Sequence, residues 1–229
     1  MATSGSKNFE LDVAEYIEEA YERCGLEMRT SYDARTIRRS LNILLADWAN
    51  RGLNQWTIQQ NSISMIEGTL TYNLDSTDPT AVIDVLDAFL RRTVNSVDTD
   101  YSIDRLSRSE YANIPNKSTK ARPSQYFINK LITPTITVFP APENSTDTIH
   151  VNCLMRMDDA DNLVNTVEMP FRFYPCLAAG LAYYLSMKKA PDRTQILKGI
   201  YEEEFRRAAD TDEDRVSLKV APALRSYTL

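Results

Sequence analysis

Carboxylates are the most abundant reactive groups of this chain, with 32 Asp and Glu against 26 Lys and Arg. They are densest at Glu202-Glu203-Glu204 and at Asp158-Asp159-Asp161. Two carboxyls facing each other across a cleft, one with its pKa raised by burial, cut glycosidic bonds. A carboxylate-dependent peptidoglycan hydrolase is therefore one reading of the composition. Three consecutive Glu on a helix cannot all face one cleft, and a solvated helix face accounts for them better. Asp158 to Asp161 lacks the DxDxDG order of a calcium loop and reads as a polar connection between strand and helix. His150 is the only histidine and lies in an alternating strand pattern, too little for a zinc site or a nucleophile–base pair. Cys24, Cys153 and Cys176 form no CxxC pair. They read as buried free thiols of a reducing compartment. The six glycines never fall into GxGxxG or GxxxxGK[ST], and neither GxSxG nor HExxH occurs. No enzyme, metal or cofactor is expected.

The basic residues carry a different message. Arg35, Arg38 and Arg39 fall on the polar side of a helical stretch. Arg91-Arg92, Lys188-Lys189 and Arg206-Arg207 are further pairs, and the last two sit where a helix macrodipole alone explains them. The net charge is −6 and the pI about 5.0. That balance is poor for static duplex binding, which needs phosphate neutralisation, and suits a channel through which DNA slides. The two tryptophans and twelve tyrosines mostly occupy stripe or alternating positions, so they read as core and not as a base-stacking platform. No basic-then-apolar leader opens the chain. The longest uncharged stretch, Phe173 to Met187, is shorter than the ~20 residues of a spanning helix and is broken by Pro175 and Gly180. It reads as a buried helix, with no membrane anchor.

The elements that would position these groups follow from hydrophobic period. A first helix is expected over Phe9 to Cys24, with Val13, Ala14, Ile17, Ala20, Tyr21 and Cys24 as its apolar stripe and Glu10, Asp12, Glu15, Glu18, Glu19 and Glu22 elsewhere. A second helix runs from a Thr30/Asp33 capping box to Asn50, with Ile37, Leu41, Leu44, Leu45 and Trp48 inward and Gly52 as its stop. Period two then takes over through Trp56, Ile58, Ile63, Met65 and Leu70, Tyr72, Leu74, with Glu67-Gly68 as a hairpin turn between the runs. Val82 to Val94 fits helix and strand alike, and its β-branched content favours the strand. Ile103 to Tyr111 reads as a short helix started by Ser102 or Asp104. Strands follow at Arg122–Ile128, at Thr135–Phe139 ended by Pro140 and Pro142, and at Thr148–Met157. Pro170 opens a third long helix, where Ala178, Ala179, Gly180 and Ala182 make a face without bulk that another helix can approach. Asp192 with Gln195 starts the fourth, whose stripe is Leu197, Tyr201, Phe205 and Ala208. The fold class expected is α+β: a four-helix bundle-like α domain from both chain ends (1–55 and 165–214), an inserted antiparallel β-rich region (56–164) and an extended C-terminal tail (215–229). That tail carries Arg215, Lys219 and Arg225 with no acid, beside Val216, Leu218, Val220, Leu224, Tyr227 and Leu229. Either it packs on its own domain or, the preferred reading, a partner subunit holds it.

Two phrases carry a resemblance. Leu-Ala-Asp-Trp-Ala-Asn-Arg-Gly (45–52), at a helix-to-strand junction, and Arg-Pro-Ser-Gln-Tyr (122–126), followed by Phe-Pro-Ala-Pro (139–142), resemble the head-to-tail adaptors (tail tubular or tail accessory proteins) of short-tailed double-stranded DNA phages. The order of elements resembles that family along most of the chain. The resemblance implies a structural virion protein made in the host cytoplasm. It implies a twelve-copy ring between the portal and the tail nozzle or hub, with tail fibres as further neighbours. The ring would give a continuous channel and seal the filled head, with double-stranded DNA passing through unread. It also implies that a C-terminal segment reaches the portal; by position that segment is Arg215, Val216, Leu218, Lys219, Val220, Leu224, Arg225, Tyr227 and Leu229. In such a ring Arg35, Arg38 and Arg39 would meet Glu15, Glu18 and Glu22 of a neighbour. Beside this reading stand the hydrolase and a small cytosolic binding module.

Overall fold

The computed structural model describes residues 5, 6, 8–27, 31–51, 55–78 and 80–212. The chain is α+β: helices from its two ends share one core, and two sheets between them share another. Helix α1 spans Val13–Arg23, α2 Ser31–Arg51, α4 Tyr174–Lys189 and α5 Thr194–Asp212. A fifth, short helix α3 (Arg108–Ala112) lies in the β-rich part.

Helix α1 starts later than its polar pattern suggests because Asp12 caps it. The Asp12 carboxylate accepts from the Glu15 amide (2.8 Å), and the Glu15 carboxylate accepts from the Asp12 amide (2.9 Å). This capping box satisfies two orphan donors. The next amides, Val13 and Ala14, donate to the Asn165 and Leu163 carbonyls, both at 3.0 Å. Gly25, at φ +69°, ends the helix in the left-handed region that an L side chain resists. The expected start at Phe9 is thus wrong by one turn. Thr30 and Gly52, assigned as boundaries of α2, lie outside the described residues.

The expected starts of α4 and α5 also need correction. Pro170 precedes a 3-10 turn, Phe171–Phe173, and Pro175 sits in the first turn of α4, where its missing N–H leaves nothing unpaired. Asp192 lies within a second 3-10 turn, Pro191–Arg193, and α5 begins at Thr194. Prolines set both tight turns by fixing φ before the helix proper.

Helix α4 is the element on which α1, α2 and α5 all pack. Its small residues explain this. A Cβ at Gly180 would lie 2.9 Å from Leu44 Cδ2 of α2 and 2.9 Å from Tyr201 Cε2 of α5. Both neighbours are fully buried and cannot retreat. Gly180→Val is therefore expected to cost about 3 kcal/mol, the upper part of the overpacking range. A urea unfolding midpoint unchanged from wild type would show that the two helices can separate without loss.

In the β-rich part, one sheet has the order β1-β8-β3-β4 and the other β2-β7-β6-β5. The strands are β1 (Ile58–Ser64), β2 (Thr71–Asn73), β3 (Val82–Val94), β4 (Val97–Ser102), β5 (Asp104–Leu106), β6 (Gln125–Asn129), β7 (Thr135–Phe139) and β8 (Thr148–Met155). All pairs are antiparallel except β5 with β6. The sheets close on Val85, Leu90, Ile149, Val151 and Cys153 from one side and Tyr126, Ile128, Ile136 and Val138 from the other. The ambiguous Val82–Val94 segment is a strand whose register slips twice against β8, between Val82 and Asp84 and between Val85 and Asp87. Those bulges blur the period of two that a sequence reading relies on. Glu67-Gly68 does form a turn, but β1 pairs with β8 and β2 with β7, so the turn carries the chain from one sheet to the other and makes no hairpin. The expected helix over Ile103–Tyr111 is instead β5 followed by α3, capped by Ser107 and Glu110. Arg105 accounts for part of this. Its guanidinium donates to the Val85 carbonyl (2.7 Å) and to Asp84 (2.9 Å), tying β5 to β3 of the other sheet.

Candidate assembly surfaces

The acidic residues of α1 line an open groove of about 490 Å³. Glu15, Glu18, Glu19 and Glu22 form one wall, and Phe9, Leu11, Tyr174, Pro175 and Ala178 give it an apolar floor. Glu15, Glu18 and Glu22 are exposed; Glu19 is paired with Arg23 at 2.7 Å. The Tyr16 ring meets Tyr174 edge-on, with centroids 6.1 Å apart. Its buried hydroxyl has no hydrogen-bond partner among the described residues, and burial pushes its pKa up.

The basic residues of α2 line a second groove, of about 470 Å³, with which the first shares no residue. Arg35, Arg38 and Arg39 are joined there by Asn42, Ile43, Ala46, Arg156 and Asp159. Arg35 and Arg39 are exposed and make no ion pair among the described residues, whereas Arg38 donates to the Asp161 carbonyl. Asn42 anchors the far wall by accepting from the Ala160 amide at 2.9 Å. Ile43 is half exposed at the middle of this basic surface. Arg156 was not singled out by sequence because it follows the last apolar residues of β8; only the fold brings it beside α2.

A hub of aromatic and charged side chains joins α2 to α5. Trp48 Nε1 donates to Tyr201 Oη at 2.8 Å. The Arg51 guanidinium lies over the Tyr201 and Phe205 rings (4.9 and 4.8 Å) and makes a two-toothed pair with Glu202 at 2.9 and 3.1 Å. That pair holds the Glu202 carboxyl below the usual range, so it is a stabilised anion and no general acid. Glu203 and Glu204 both pair with Arg207. The triple-Glu run is a salt-bridged helix face. In the loop after β8, Asp158, Asp159 and Glu168 line a cavity of about 390 Å³, where burial and then the Asp158 charge push the Glu168 carboxyl up. No group of three or more His, Cys, Asp or Glu among the described residues could hold a metal ion.

All three cysteines are buried free thiols, as expected. Burial pushes Cys153 and Cys176 up to about 12, so neither is a nucleophile near neutral pH. His150, on β8, stacks on Phe89 at 5.0 Å. Burial, then Arg91, lowers its pKa below the ordinary 6.5. The folded state therefore holds this proton more weakly than the unfolded chain does. Stability contributed by neutral His150 is present above pH 6.5 and is lost as pH falls below it. His150→Gln is expected to flatten the stability–pH curve just below pH 6.5; an unchanged slope in thermal melts would assign the dependence to other groups.

Two hairpin tips were missed by sequence reading. Asn95 and Ser96 both take positive φ (51° and 62°) in the β3–β4 turn and leave Val94 and Val97 exposed. Leu131 and Ile132 stand out between β6 and β7, Ile132 at 92% exposure. An Asn-Ser pair between two valines was the available signal for the first.

A comparison with protein families places this arrangement: residues 12–225 match the model described as SU10 adaptor protein. The chain belongs to the SU10 adaptor protein family. This is a phage head-to-tail adaptor family, so this SU10 adaptor is a structural phage protein. No curated protein matches the chain. No described helix of the adaptor is long and apolar enough to cross a membrane. The portal-binding residues assigned in the tail, Arg215, Val216, Leu218, Lys219, Val220, Leu224, Arg225, Tyr227 and Leu229, lie outside the described residues.

Proposed function

We propose that this adaptor forms a closed ring, of twelve copies by the family resemblance, between the portal and the tail nozzle, and that double-stranded DNA passes through its lumen unread. The observation that carries the reading is the family match over residues 12–225. The two grooves support it. One chain presents an acid-walled groove on α1 and a basic one on α2, each with an apolar element. Unlike patches that complement each other join head to tail and close when the rotation between copies divides the circle. Charge at such a boundary fixes register and partner more than it adds affinity.

The helical portion, 1–55 with 165–214, would build the ring and face the portal. The β-rich portion, 56–164, would turn its hairpin tips toward the nozzle and neighbouring tail components. The tail, 215–229, would reach the portal and add contacts there, which would make docking sequential and conditional on a finished head. Net charge −6 keeps a wall of such subunits from holding DNA. The test is the mass of the purified chain alone and after mixing with portal rings. A stoichiometric ring bound to the portal is expected. A small fixed oligomer that ignores the portal would replace this reading with the binding module.

A further inference from the structure

We propose that the acid-walled groove on α1 is occupied, before the portal is met, by the chain's own basic C-terminal segment, residues 215–229. Three observations converge. First, charge: the wall carries Glu15, Glu18 and Glu22, all exposed, and its one basic residue, Arg23, is paired with Glu19, while the segment carries Arg215, Lys219 and Arg225 and no acid. Second, apolar pattern: the floor is Phe9, Leu11, Tyr174, Pro175 and Ala178. Drawn out as an extended chain, the segment sets Val216, Leu218 and Val220 on one side and Arg215 and Lys219 on the other. One side matches the floor and the other the glutamate wall.

Third, the point of exit. The last described residue, Asp212, is held at the end of α5 by the Arg172 side chain and by the Gln55 amide (3.1 Å). Arg172 lies two residues before Tyr174 and three before Pro175, which floor the groove. The chain therefore leaves α5 at the Phe171–Phe173 turn that immediately precedes those floor residues. Residues 213–229 span about 55 Å when extended, several times the ~10 Å of helix between Glu15 and Glu22. Reach is no obstacle.

Resting on the ring reading above, this occupancy has a regulatory result. The groove offered to a neighbour's Arg35 and Arg39 is filled in the free subunit, and a portal that draws the segment away opens it. Ring closure then follows portal contact.

The experiment uses the full chain. The variant Arg215→Glu, Lys219→Glu, Arg225→Glu should release its segment. A fluorescein-labelled peptide of residues 215–229 should bind this variant at least tenfold tighter than it binds wild type, whose own segment competes. Adding Glu18→Lys and Glu22→Lys should weaken peptide binding at least tenfold. Both positions are exposed, and the capping residue Glu15 is kept, so the fold survives the change. Absence of peptide binding to the released variant, or binding indifferent to the two lysines, overturns the proposal. Wild-type dimers that dissociate on adding peptide also overturn it, by placing the segment in a second copy. The ring reading fails separately: if peptide binds as expected but the released variant never forms a larger species in light scattering, the groove holds the segment and does not receive a neighbour.

Discussion

Trp48→Ala is expected to destabilise the chain by about 3–5 kcal/mol, the range for truncating a fully buried tryptophan. Trp48 has no exposed surface, and its ring contacts Phe173 and Phe205 at centroid distances of 5.6 and 5.8 Å. Removal opens a cavity where α2, α4 and α5 meet. It also takes the indole donor from Tyr201, whose hydroxyl keeps only a long contact to Asp47 at 3.5 Å. Phe173 further supports Trp56 (4.5 Å), so the loss spreads to the junction between the helical and β-rich parts. Trp48→Phe separates the two contributions. It keeps most of the ring and forfeits the hydrogen bond, and about 1–2 kcal/mol is expected. Urea unfolding followed by far-ultraviolet circular dichroism measures both. A loss under 1 kcal/mol for the alanine variant would remove this hub from its central place in the fold.

The second large effect is on assembly. Arg35→Glu with Arg39→Glu should weaken ring formation on the portal by on the order of 100-fold, about 2.7 kcal/mol. Like charges would then face each other at every boundary of the proposed ring, and such juxtapositions cost several kcal/mol. Arg38 is left unchanged because its side chain is committed to the Asp161 carbonyl, and replacing it would disturb the loop after β8 as well. The decisive arm is the doubly reversed chain, which adds Glu18→Lys and Glu22→Lys. It should assemble with itself and refuse wild-type copies. Assembly should also weaken with added salt, since exposed pairs are screened over about 8–10 Å. Normal mixed rings in native mass measurements would break the pairing of α1 with α2.

Much of this architecture was legible because the apolar stripes are strong. Val13, Ile17 and Tyr21 on α1, and Ile37, Leu41, Leu44 and Trp48 on α2, are buried as their spacing requires. Gly180 was readable as a close approach for the same reason. What failed was local. Glu67-Gly68 has turn chemistry, but turn chemistry does not say which strand a segment will pair with. Leu106 and Tyr111 suggested one helix face, and the long reach of Arg105 to Asp84 and Val85 was invisible beforehand. Of the candidate surfaces, the charged residues were visible one helix at a time. The grooves needed Arg156, Tyr174 and Pro175, which arrive from more than a hundred residues away along the chain.

The pairing of β1 with β8 has a consequence for how such a protein can change over time. Ile58 stands opposite Leu154, so the chain enters and leaves the intervening stretch on the two sides of one rung of a single ladder. Partner Cα atoms on antiparallel strands are about 4.5–5.5 Å apart, a gap that an ordinary tight turn closes. Everything between can lengthen, shrink or be exchanged for another module without moving the ends of α2 and α4. A lineage meeting new tail hardware could graft a different insert there and keep its helical half intact.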